Sequence, residues 1–264
     1  MEKPANNPIL KAENLAVGYR GKREEIVVSS GMNFSIHEGE LVAVVGINGA
    51  GKSTLLKTLT KELSPLEGSI FINGVSLEEY SNKNLAELIS VVLTNQTISK
   101  NLSVYELVAL GRQPYTDWLG NLNETDKKAI LRAMEQVELR DLSQKKCSEL
   151  SDGQLQKVLI ARTLAQDTPL IFMDEPTTHL DLYHKAHVLQ LLKKLSQETK
   201  KAIVFASHEI NLALRLCDTI ILLHGSHALF GSPESLIQNG GFDSLFPAEI
   251  IEFDRISRSF QIRG

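Results

Sequence analysis

The chain has 264 residues, of which 42% are hydrophobic and 23% charged, and its formal net charge is −4 at pH 7. This length can bury a full core, and the lack of a basic excess argues against nucleic acid as a partner. No apolar run approaches the roughly 18 residues of a membrane helix, and the N-terminus lacks an apolar stretch of signal-peptide length. The two cysteines, Cys147 and Cys217, form no disulfide framework, so we expect buried or half-buried thiols in a cytosolic protein.

The first third of the chain predicts mainly strands. Residues 9–18 and 31–38 alternate loosely between apolar and polar side chains, with a loop between them. The fully apolar run at 41–46 is typical of a central parallel strand. In the segment 68–75, another strand is followed by an Asn-Gly turn at Asn73 and Gly74.

From about residue 97 to 165 the pattern changes to helix. A Ser-x-x-Glu capping box lies at Ser103 and Glu106. A helical stripe of four apolar side chains follows it, formed by Ile130, Ala133, Met134 and Val137. Strand patterns return in three later segments, at 169–176, 201–209 and 218–225, and the tail at 249–262 predicts a covering hairpin. Alternating strands and helices predict an α/β sheet with a helical insertion.

A phosphate-binding loop lies between the apolar strand at 41–46 and a predicted helix at 53–63. The motif G-x-x-x-x-G-K-[ST] is present in the strand-to-helix context that it requires. Its glycines let backbone amides surround a phosphate, Lys52 supplies a charge for the β- and γ-phosphates, and Ser53 can reach Mg²⁺. The predicted nucleotide contacts are Gly46, Asn48, Gly49, Ala50, Gly51, Lys52, Ser53 and Thr54.

A pair of acids ends the apolar strand LIFMDEP. Asp174 and Glu175 are placed at the carboxyl end of a strand, where ligands bind in open α/β sheets. Asp174 could hold Mg²⁺, directly or through water, and Glu175 could accept a proton from an attacking water as general base. An acid pair at a helix N-terminus ahead of Pro176 is the alternative, but together with the phosphate loop the pair favours nucleotide hydrolysis.

The class of nucleotide hydrolase follows from two features that the sequence lacks and from one motif that it contains. A guanine-reading Asn-Lys-x-Asp is absent, because the nearest match, residues 82–85, ends in leucine. A small-molecule kinase would need a lid with several arginines, and the helical insertion contains few. The motif LSDGQ, residues 150–154, remains to be explained.

LSDGQ has a structural and a functional interpretation. Ser151 and Gln154 form a capping box with a leucine staple, which needs no ligand. Gly153, however, lies in the first turn of the helix, where glycine costs about 1 kcal/mol relative to alanine. A phosphate that approaches bare backbone explains that glycine. Because the phosphate loop already surrounds the nucleotide of its own chain, we predict that LSDGQ binds the nucleotide of a second copy.

These motifs resemble those of the ATP-binding subunits of ABC transporters, over nearly the whole chain. The resemblance implies a single ABC ATP-binding domain, 1–264, whose fold is α/β with a P-loop NTPase core of ABC ATPase type. It places the core, with an antiparallel β subdomain and the C-terminal hairpin, at 1–96 and 160–264. It places an inserted helical signature subdomain at about 97–159.

The resemblance also implies roles for residues that their own patterns leave open. Tyr19 would stack on adenine, Gln96 would sense Mg²⁺ and link the core to the helical subdomain, and His208 would contact the γ-phosphate. The loop that ends at Asp181 would cross the interface between two copies. The predicted catalytic residues are thus Glu175, His208 and Gln96; the predicted metal ligands are Ser53, Gln96 and Asp174; and the contacts beyond the phosphate loop are Tyr19, Ser151, Gly153, Gln154 and Asp181.

Four residues stand apart from this pattern. Asp152 and Glu209 replace the more usual glycine and aspartate, but both keep a polar side chain. His184 and His187 lie one helical turn apart and could suggest a metal pair. Without a third ligand at a fitting spacing beyond His179, a solvated helix face is the better interpretation.

Two segments, 108–120 and 163–186, resemble the ATPases of importers for iron–siderophore, haem or cobalamin. The resemblance implies ATP and Mg²⁺ as cofactors, a second copy, two membrane permease subunits and an extracytoplasmic substrate-binding protein, but no nucleic acid. It implies a peripheral position on the cytoplasmic face of the inner membrane. Pro114, Tyr115 and Trp118 would either face the permease or pack their own loop. The alternatives are import of a free metal ion or another small solute and, as a separate class, an ABC ATPase outside transport.

Overall fold

A computed structural model of the chain describes residues 7–21, 24–93, 99–243, 245–247 and 249–262. The strands, in chain order, are β1 (Leu10–Arg20), β2 (Glu25–Ile36), β3 (Leu41–Gly46), β4 (Glu67–Ile72), β5 (Val75–Ser76), β6 (Ile89–Val92), β7 (Leu170–Asp174), β8 (Ala202–Ser207), β9 (Thr219–His224), β10 (His227–Gly231), β11 (Ile251–Asp254) and β12 (Ser259–Ile262). The α-helices are α1 (Lys52–Leu59), α2 (Asn82–Ala86), α3 (Val104–Ala109), α4 (Glu124–Gln136), α5 (Asp152–Gln166), α6 (Leu182–Thr199), α7 (Ile210–Leu216) and α8 (Pro233–Gln238). Short 3₁₀ helices lie at Leu77–Glu79, Leu110–Tyr115, Arg140–Leu142 and Cys147–Glu149.

The main sheet has six strands in the order β10-β9-β3-β8-β7-β6. All neighbouring pairs are parallel except β10 with β9. Strands β3, β8 and β7 are adjacent, so the residues that follow their carboxyl ends meet at one edge of the sheet. This edge is where the sequence places the phosphate loop, the acid pair and His208, and the predicted α/β fold is confirmed.

The two faces of β3 belong to two different cores. Leu41, Ala43 and Val45 pack with the helices of the 104–217 region, whereas Val42 and Val44 pack with α1 and the antiparallel sheet. Successive side chains of a strand point to opposite faces, so a strand covered on both sides is apolar throughout. The central position of β3 therefore fixes the loop that follows it from both sides.

A second sheet is antiparallel, in the order β2-β1-β4-β5. Its first two strands are longer than the sequence predicts, because Tyr19 pairs with Ile26 and Arg20 with Glu25. The β-branched run from Ile26 to Val28 favours that extension. The predicted loop is correspondingly shorter, and Tyr19 lies in a strand. At its other end β2 stops at Ile36, two residues before its predicted end.

Helix α1 is also shorter than predicted. It ends at Leu59, and Lys61 adopts a left-handed backbone with φ of 65°. The N–H groups of Glu62 and Leu63 donate to the carbonyl oxygen of Lys57 at 2.8 and 3.1 Å. These bonds satisfy a carbonyl at the helix end and turn the chain away from the helix axis.

The helical region contains α3, α4 and α5. The capping boxes at Ser103 and Ser151 are both present, and the predicted stripe on α4 is buried. Helix α5 continues through residue 159 and ends just before β7, so no break in secondary structure marks the predicted subdomain boundary. The proposed division of the chain into subdomains stays a prediction.

The C-terminal hairpin of β11 and β12 is confirmed. Phe253 and Phe260 pack on Phe242, with ring centroids 5.2 and 6.2 Å away, and so cover the helix-side core. The two cysteines are buried and unpaired, as expected. Among the described residues, no helix has both the length and the apolar character to cross a membrane.

Candidate nucleotide site

The phosphate loop connects β3 to α1 and depends on glycine at two positions. Gly49 and Gly51 have φ of 79° and 97°, a left-handed backbone that residues with side chains rarely adopt. A Cβ at Gly51 would lie only 2.1 Å from Cγ1 of Val28, whereas the space beside Gly49 is open. Strand β2 therefore packs against the loop at Gly51, and the loop is open at Gly49.

Lys52 is the first residue of α1 and is 5% exposed. Its ammonium group donates to the carbonyl oxygens of Gly46 and Ile47 at 3.0 and 3.2 Å, and lies 3.1 Å from Nδ1 of His208. Burial lowers the pKa of Lys52, while the carboxylates of Glu175 and Asp174 oppose that shift. The amine thus lies inside the loop, where its three donors reach two loop carbonyls and His208.

His208 joins Lys52 to Glu175. It follows β8, and its ring Nε2 pairs with Oε1 of Glu175. An ammonium group only donates hydrogen bonds, so Nδ1 of His208 accepts from Lys52 and the ring proton lies on Nε2, facing Glu175. Three predicted site residues therefore form one chain of contacts along the sheet edge.

Glu175 has an unusual backbone for a residue with a side chain. Its φ is 50°, and its N–H donates to Ala206 of the adjacent strand at 3.1 Å. The hydroxyl of Thr178 donates to Oε2 at 3.1 Å, so both carboxylate oxygens have partners. Such strained residues persist where the surroundings hold them, often at functional sites. Here the turn directs the carboxylate toward His208.

Asp174 and Ser53 converge from β7 and α1. The Ser53 hydroxyl donates to Oδ1 of Asp174 at 3.1 Å. Burial raises the pKa of Asp174, while the bond from Ser53 opposes the rise. Mg²⁺ prefers oxygen ligands and commonly takes only one or two from protein beside phosphates. The pair fits that ion. The third predicted ligand, Gln96, lies outside the described residues.

Tyr19 lies on β1, beside the start of α1. Its hydroxyl is 3.0 Å from Oγ1 of Thr54, and the residue is 45% exposed. The ring is thus fixed at its hydroxyl end and accessible elsewhere. This placement would leave a ring face available for stacking on a base.

The start of α5 is built differently. The side-chain bonds of Ser151 and Gln154 are reciprocal: the backbone N–H of Ser151 donates to Oε1 of Gln154 at 3.1 Å, and the N–H of Gln154 donates to Oγ of Ser151 at 3.3 Å. Ser151 is exposed. The structure therefore does not place LSDGQ among the contacts around Lys52.

Gly153 has a neighbour within its own chain. A Cβ added there would lie 3.0 Å from Cδ2 of His184, whose ring Nδ1 is 2.8 Å from Asp181. An approaching phosphate is therefore not the only reason for glycine at this position, and the sequence argument was incomplete. Sequence reasoning assigned His184 to a solvated helix face. Half of its side chain is indeed exposed, but the contact with Gly153 was missed.

A cavity of about 190 Å³ separates the start of α5 from the acid pair. Its lining includes Asp152, Gln156, Asp174, Glu175 and His179. The LSDGQ helix and the loop after β7 thus face one another within a single chain. No group of three or more histidine, cysteine or acidic side chains placed to hold a metal ion occurs in the part of the chain that the structure describes.

In the segment after α3, the aromatic residues differ in which of the two predicted roles they fit, packing of their own loop or contact with a permease. Tyr115 packs under Arg112, whose guanidinium carbon lies 3.9 Å from the ring centroid. Trp118 is 91% exposed on a loop that Asp117 holds through bonds from the N–H groups of Leu119 and Asn121, both 3.0 Å long. Tyr115 therefore packs its own loop, and Trp118 is free to contact another protein.

The sequence analysis missed the buried ion pair of Arg112 and Asp126. The atoms Nε and Oδ1 are 2.9 Å apart, and the side chains are 8% and 1% exposed. Arg112 also donates to the carbonyl oxygen of Ala165 at 2.8 Å, and Asp126 completes a capping box with Asn123. The pair joins three helical elements. The Asn-x-x-Asp pattern before α4 was a signal for the cap but not for its arginine partner.

This fold and this site define a P-loop nucleotide hydrolase, and comparisons identify its family. Residues 29–178 match the family model described as ABC transporter. An uncharacterized ABC transporter ATP-binding protein of Methanocaldococcus jannaschii is 39% identical over 97% of this chain and 87% of its own length. The iron(3+)-hydroxamate import ATP-binding protein FhuC of Bacillus subtilis is 36% identical over 81% and 78%.

A solved structure agrees with these relatives. It is the dimeric post-hydrolysis state of an ATP-binding cassette bound to ADP and Pi, which is 30% identical, with a TM-score of 0.71 over 85% of this chain and 98% of that one. The chain belongs to the ABC transporter family. It is an ATPase that uses ATP with Mg²⁺.

Proposed function

We propose that the chain is the ATPase subunit of an ABC importer whose cargo is a metal chelate. The connected side chains of Lys52, His208 and Glu175, beside the pair of Ser53 and Asp174, carry the catalytic part of the proposal. The importer part is supported by relatives, such as the iron(3+)-hydroxamate import protein, that match most of the chain.

Each residue of this edge has a proposed role. The phosphate loop and Lys52 bind the β- and γ-phosphates, while Tyr19 stacks on adenine. Ser53, Asp174 and Gln96 hold Mg²⁺, which when bound neutralises charge on the phosphate oxygens. Glu175 accepts a proton from the attacking water, and His208 contacts the γ-phosphate and orients Glu175. The bond from Thr178 keeps the carboxylate turned toward that position.

The site is complete only with a second copy. Ser151, Gly153 and Gln154 are proposed to contact the nucleotide bound by the partner's phosphate loop, and Asp181 to lie at the same interface. The dimeric cassette with ADP and Pi supports this arrangement. The exposed Ser151 and its purely local bonds agree with it, because the same chain does not use them at its own phosphate loop.

Transport requires further chains. We propose two membrane permease subunits, contacted by the loop that carries Trp118, and an extracytoplasmic substrate-binding protein. The chain would then lie on the cytoplasmic face of the inner membrane as a peripheral subunit, with no nucleic acid partner. Iron–siderophore, haem and cobalamin are the proposed cargo classes. The alternatives are a free metal ion or another small solute and, outside transport, a different task for the ATPase.

The catalytic proposal is tested by Glu175→Gln. The amide keeps the shape of the carboxylate but cannot accept the proton, so we expect kcat to fall by on the order of 10²–10⁴ while ATP still binds. The measurements are steady-state ATPase activity and nucleotide binding. With hydrolysis blocked, ATP should convert the variant into a dimer, which light scattering would detect. Activity near that of the unmodified protein would reject Glu175 as the base.

The cargo is tested by deleting the gene. Growth should fail when iron is offered only as siderophore or haem, or when cobalamin is limiting, and free iron or excess vitamin should restore it. Normal uptake of siderophore iron, haem and cobalamin, in a strain without a related ATPase, would reject the chelate proposal. The assignment of the chain as an ATPase would still stand. Co-purification of the chain with a permease would separate transport from an ATPase task elsewhere.

A further inference from the structure

His184 lies between two loops of the nucleotide site. It is the third residue of α6, and half of its side chain is exposed. On one side, its backbone N–H and its ring Nδ1 both lie 2.8 Å from Oδ1 of Asp181. On the other side, the ring lies against Gly153, the second residue of α5. The ring thus bridges the loop after the acid pair and the start of the LSDGQ helix.

Asp181 fixes the orientation of the ring. The bond from the backbone N–H is an ordinary N-cap, and the ring contact is additional to it. Because a carboxylate only accepts hydrogen bonds, Nδ1 of His184 carries the proton and donates it. The backbone bond from His184, followed by the ring bond, lowers the pKa of Asp181. The carboxylate therefore stays charged at neutral pH, and the ring stays held.

Gly153 lies against the opposite edge of the His184 ring. A Cβ at this position would lie 3.0 Å from Cδ2 of His184, and 3.7 Å from both Cγ and Nε2. Any side chain at 153 would therefore press on the ring, which would have to shift by a few tenths of an ångström. Glycine lets the ring approach the backbone of the first helical turn, so a shift of the ring acts directly on that turn.

We propose that His184 is a positioning residue, which sets the start of the LSDGQ helix relative to the loop that follows Glu175. The inference rests on the proposed function, in which Ser151 and Gly153 contact the nucleotide of a second copy. A misplacement of about 1 Å in a positioned group can cost on the order of 10² in rate. Loss of the ring should slow turnover but should not weaken ATP binding at the phosphate loop, which other elements build.

His184→Ala tests the proposal, with His187→Ala as the matched control. His187 is exposed on the same helix, and its ring stacks on Tyr183 with the ring centroids 6.4 Å apart. We expect His184→Ala to lower kcat roughly 10- to 100-fold, with the KM for ATP unchanged. The melting temperature should change by no more than about 2 °C, because the ring is half exposed. The control should change none of these quantities.

Amide hydrogen exchange of the protein without nucleotide gives a second readout. The N–H groups of Gln154 and Leu155 both bond to Ser151, so they report on the first turn of α5. Their exchange should accelerate in His184→Ala and stay unchanged in His187→Ala.

Each outcome of these experiments either supports or overturns the proposed role of His184. An unchanged kcat, a loss of kcat with unaltered exchange at the start of α5, or a loss that a lowered melting temperature accounts for would each overturn the proposal. Failure of the catalytic proposal, in which Glu175 is the general base, is seen separately, as hydrolysis that survives Glu175→Gln. The exchange comparison would still decide whether His184 holds the helix start, because it needs no ATP.

Discussion

The edge of the main sheet and the helical region differ in how they hold their functional side chains. At the sheet edge, residues far apart in sequence contact each other: Lys52 meets His208, and Ser53 meets Asp174. In the helical region, Ser151 bonds only within its own turn in the contacts described, while the buried pair of Arg112 and Asp126 supports the helices behind it. In the proposed function, one half of the catalytic site is thus assembled within the chain, and the other half begins at the exposed Ser151 and serves a second copy.

We expect the largest effect on ATPase activity from two variants, each of which disables one of these two halves. Lys52→Ala removes the buried cation of one half, and Ser151→Arg blocks the other, so each pure variant should lose ATPase activity. In a mixed dimer both defects fall on one nucleotide and the second site stays whole, so mixing should restore part of the activity. Steady-state ATPase assays of titrated mixtures provide the measurement.

Ser81→Arg is the control for Ser151→Arg. Ser81 is also an exposed N-cap, on α2, and the N–H of Asn84 donates to it at 3.2 Å. Losing such a cap costs about 1 kcal/mol of stability, so the control should keep its ATPase activity. Full activity of Ser151→Arg would contradict the view that the outward half meets a nucleotide.

The next effect concerns the support of the outward half. Arg112→Met leaves Asp126 buried without its cation, which should cost about 3–5 kcal/mol and lower the melting temperature by about 6–20 °C. Thermal unfolding followed by circular dichroism measures it. Arg140→Met, which breaks an exposed pair with Glu135, should cost less than about 1 kcal/mol. Equal shifts in both variants would show that the buried pair does not hold the helical region.

A smaller effect is expected at the exposed loop of the helical region. Trp118→Ala should weaken binding to the permease by roughly 10- to 100-fold, as for a large aromatic at an interface, without altering ATPase activity or melting of the isolated chain. Binding would be measured with the reconstituted complex. Tyr115→Ala should instead lower the melting temperature, since Tyr115 packs under Arg112. Permease binding unchanged in Trp118→Ala would exclude this loop from the interface.

The smallest effect tests how closed the helix-side core is around Cys217, at the end of the main sheet opposite the nucleotide site. Cys217 is buried, and burial raises its pKa far above that of a free thiol. Because only the thiolate reacts, the folded chain should resist labelling of Cys217 at pH 8, whereas the unfolded chain in urea should react fully. Mass spectrometry after timed labelling measures both rates. Rapid labelling of the native protein would show that the core opens readily.

Much of the fold and part of the site follow from local patterns. The strand at β3, the phosphate loop and both capping boxes depend on residues within a few positions of each other, so their physical causes are visible in the sequence. The stripe of α4 and the C-terminal hairpin were predicted for the same reason. Strand ends were less accurate, because Tyr19 enters β1 through its pairing with Ile26, and a cross-strand partner leaves no mark on the residue itself.

By itself, the sequence determined the class of the protein: a loop for phosphates, an acid pair after a strand, and a second glycine-bearing helix start are each continuous segments whose chemistry is local. Only the tertiary structure decided which of these side chains meet. Lys52 reaches Glu175 through His208 because β3, β8 and β7 are adjacent, and the sheet order sets that distance. The ring of His184 lies on Gly153 for a similar reason, since two helix starts converge there from separate parts of the chain.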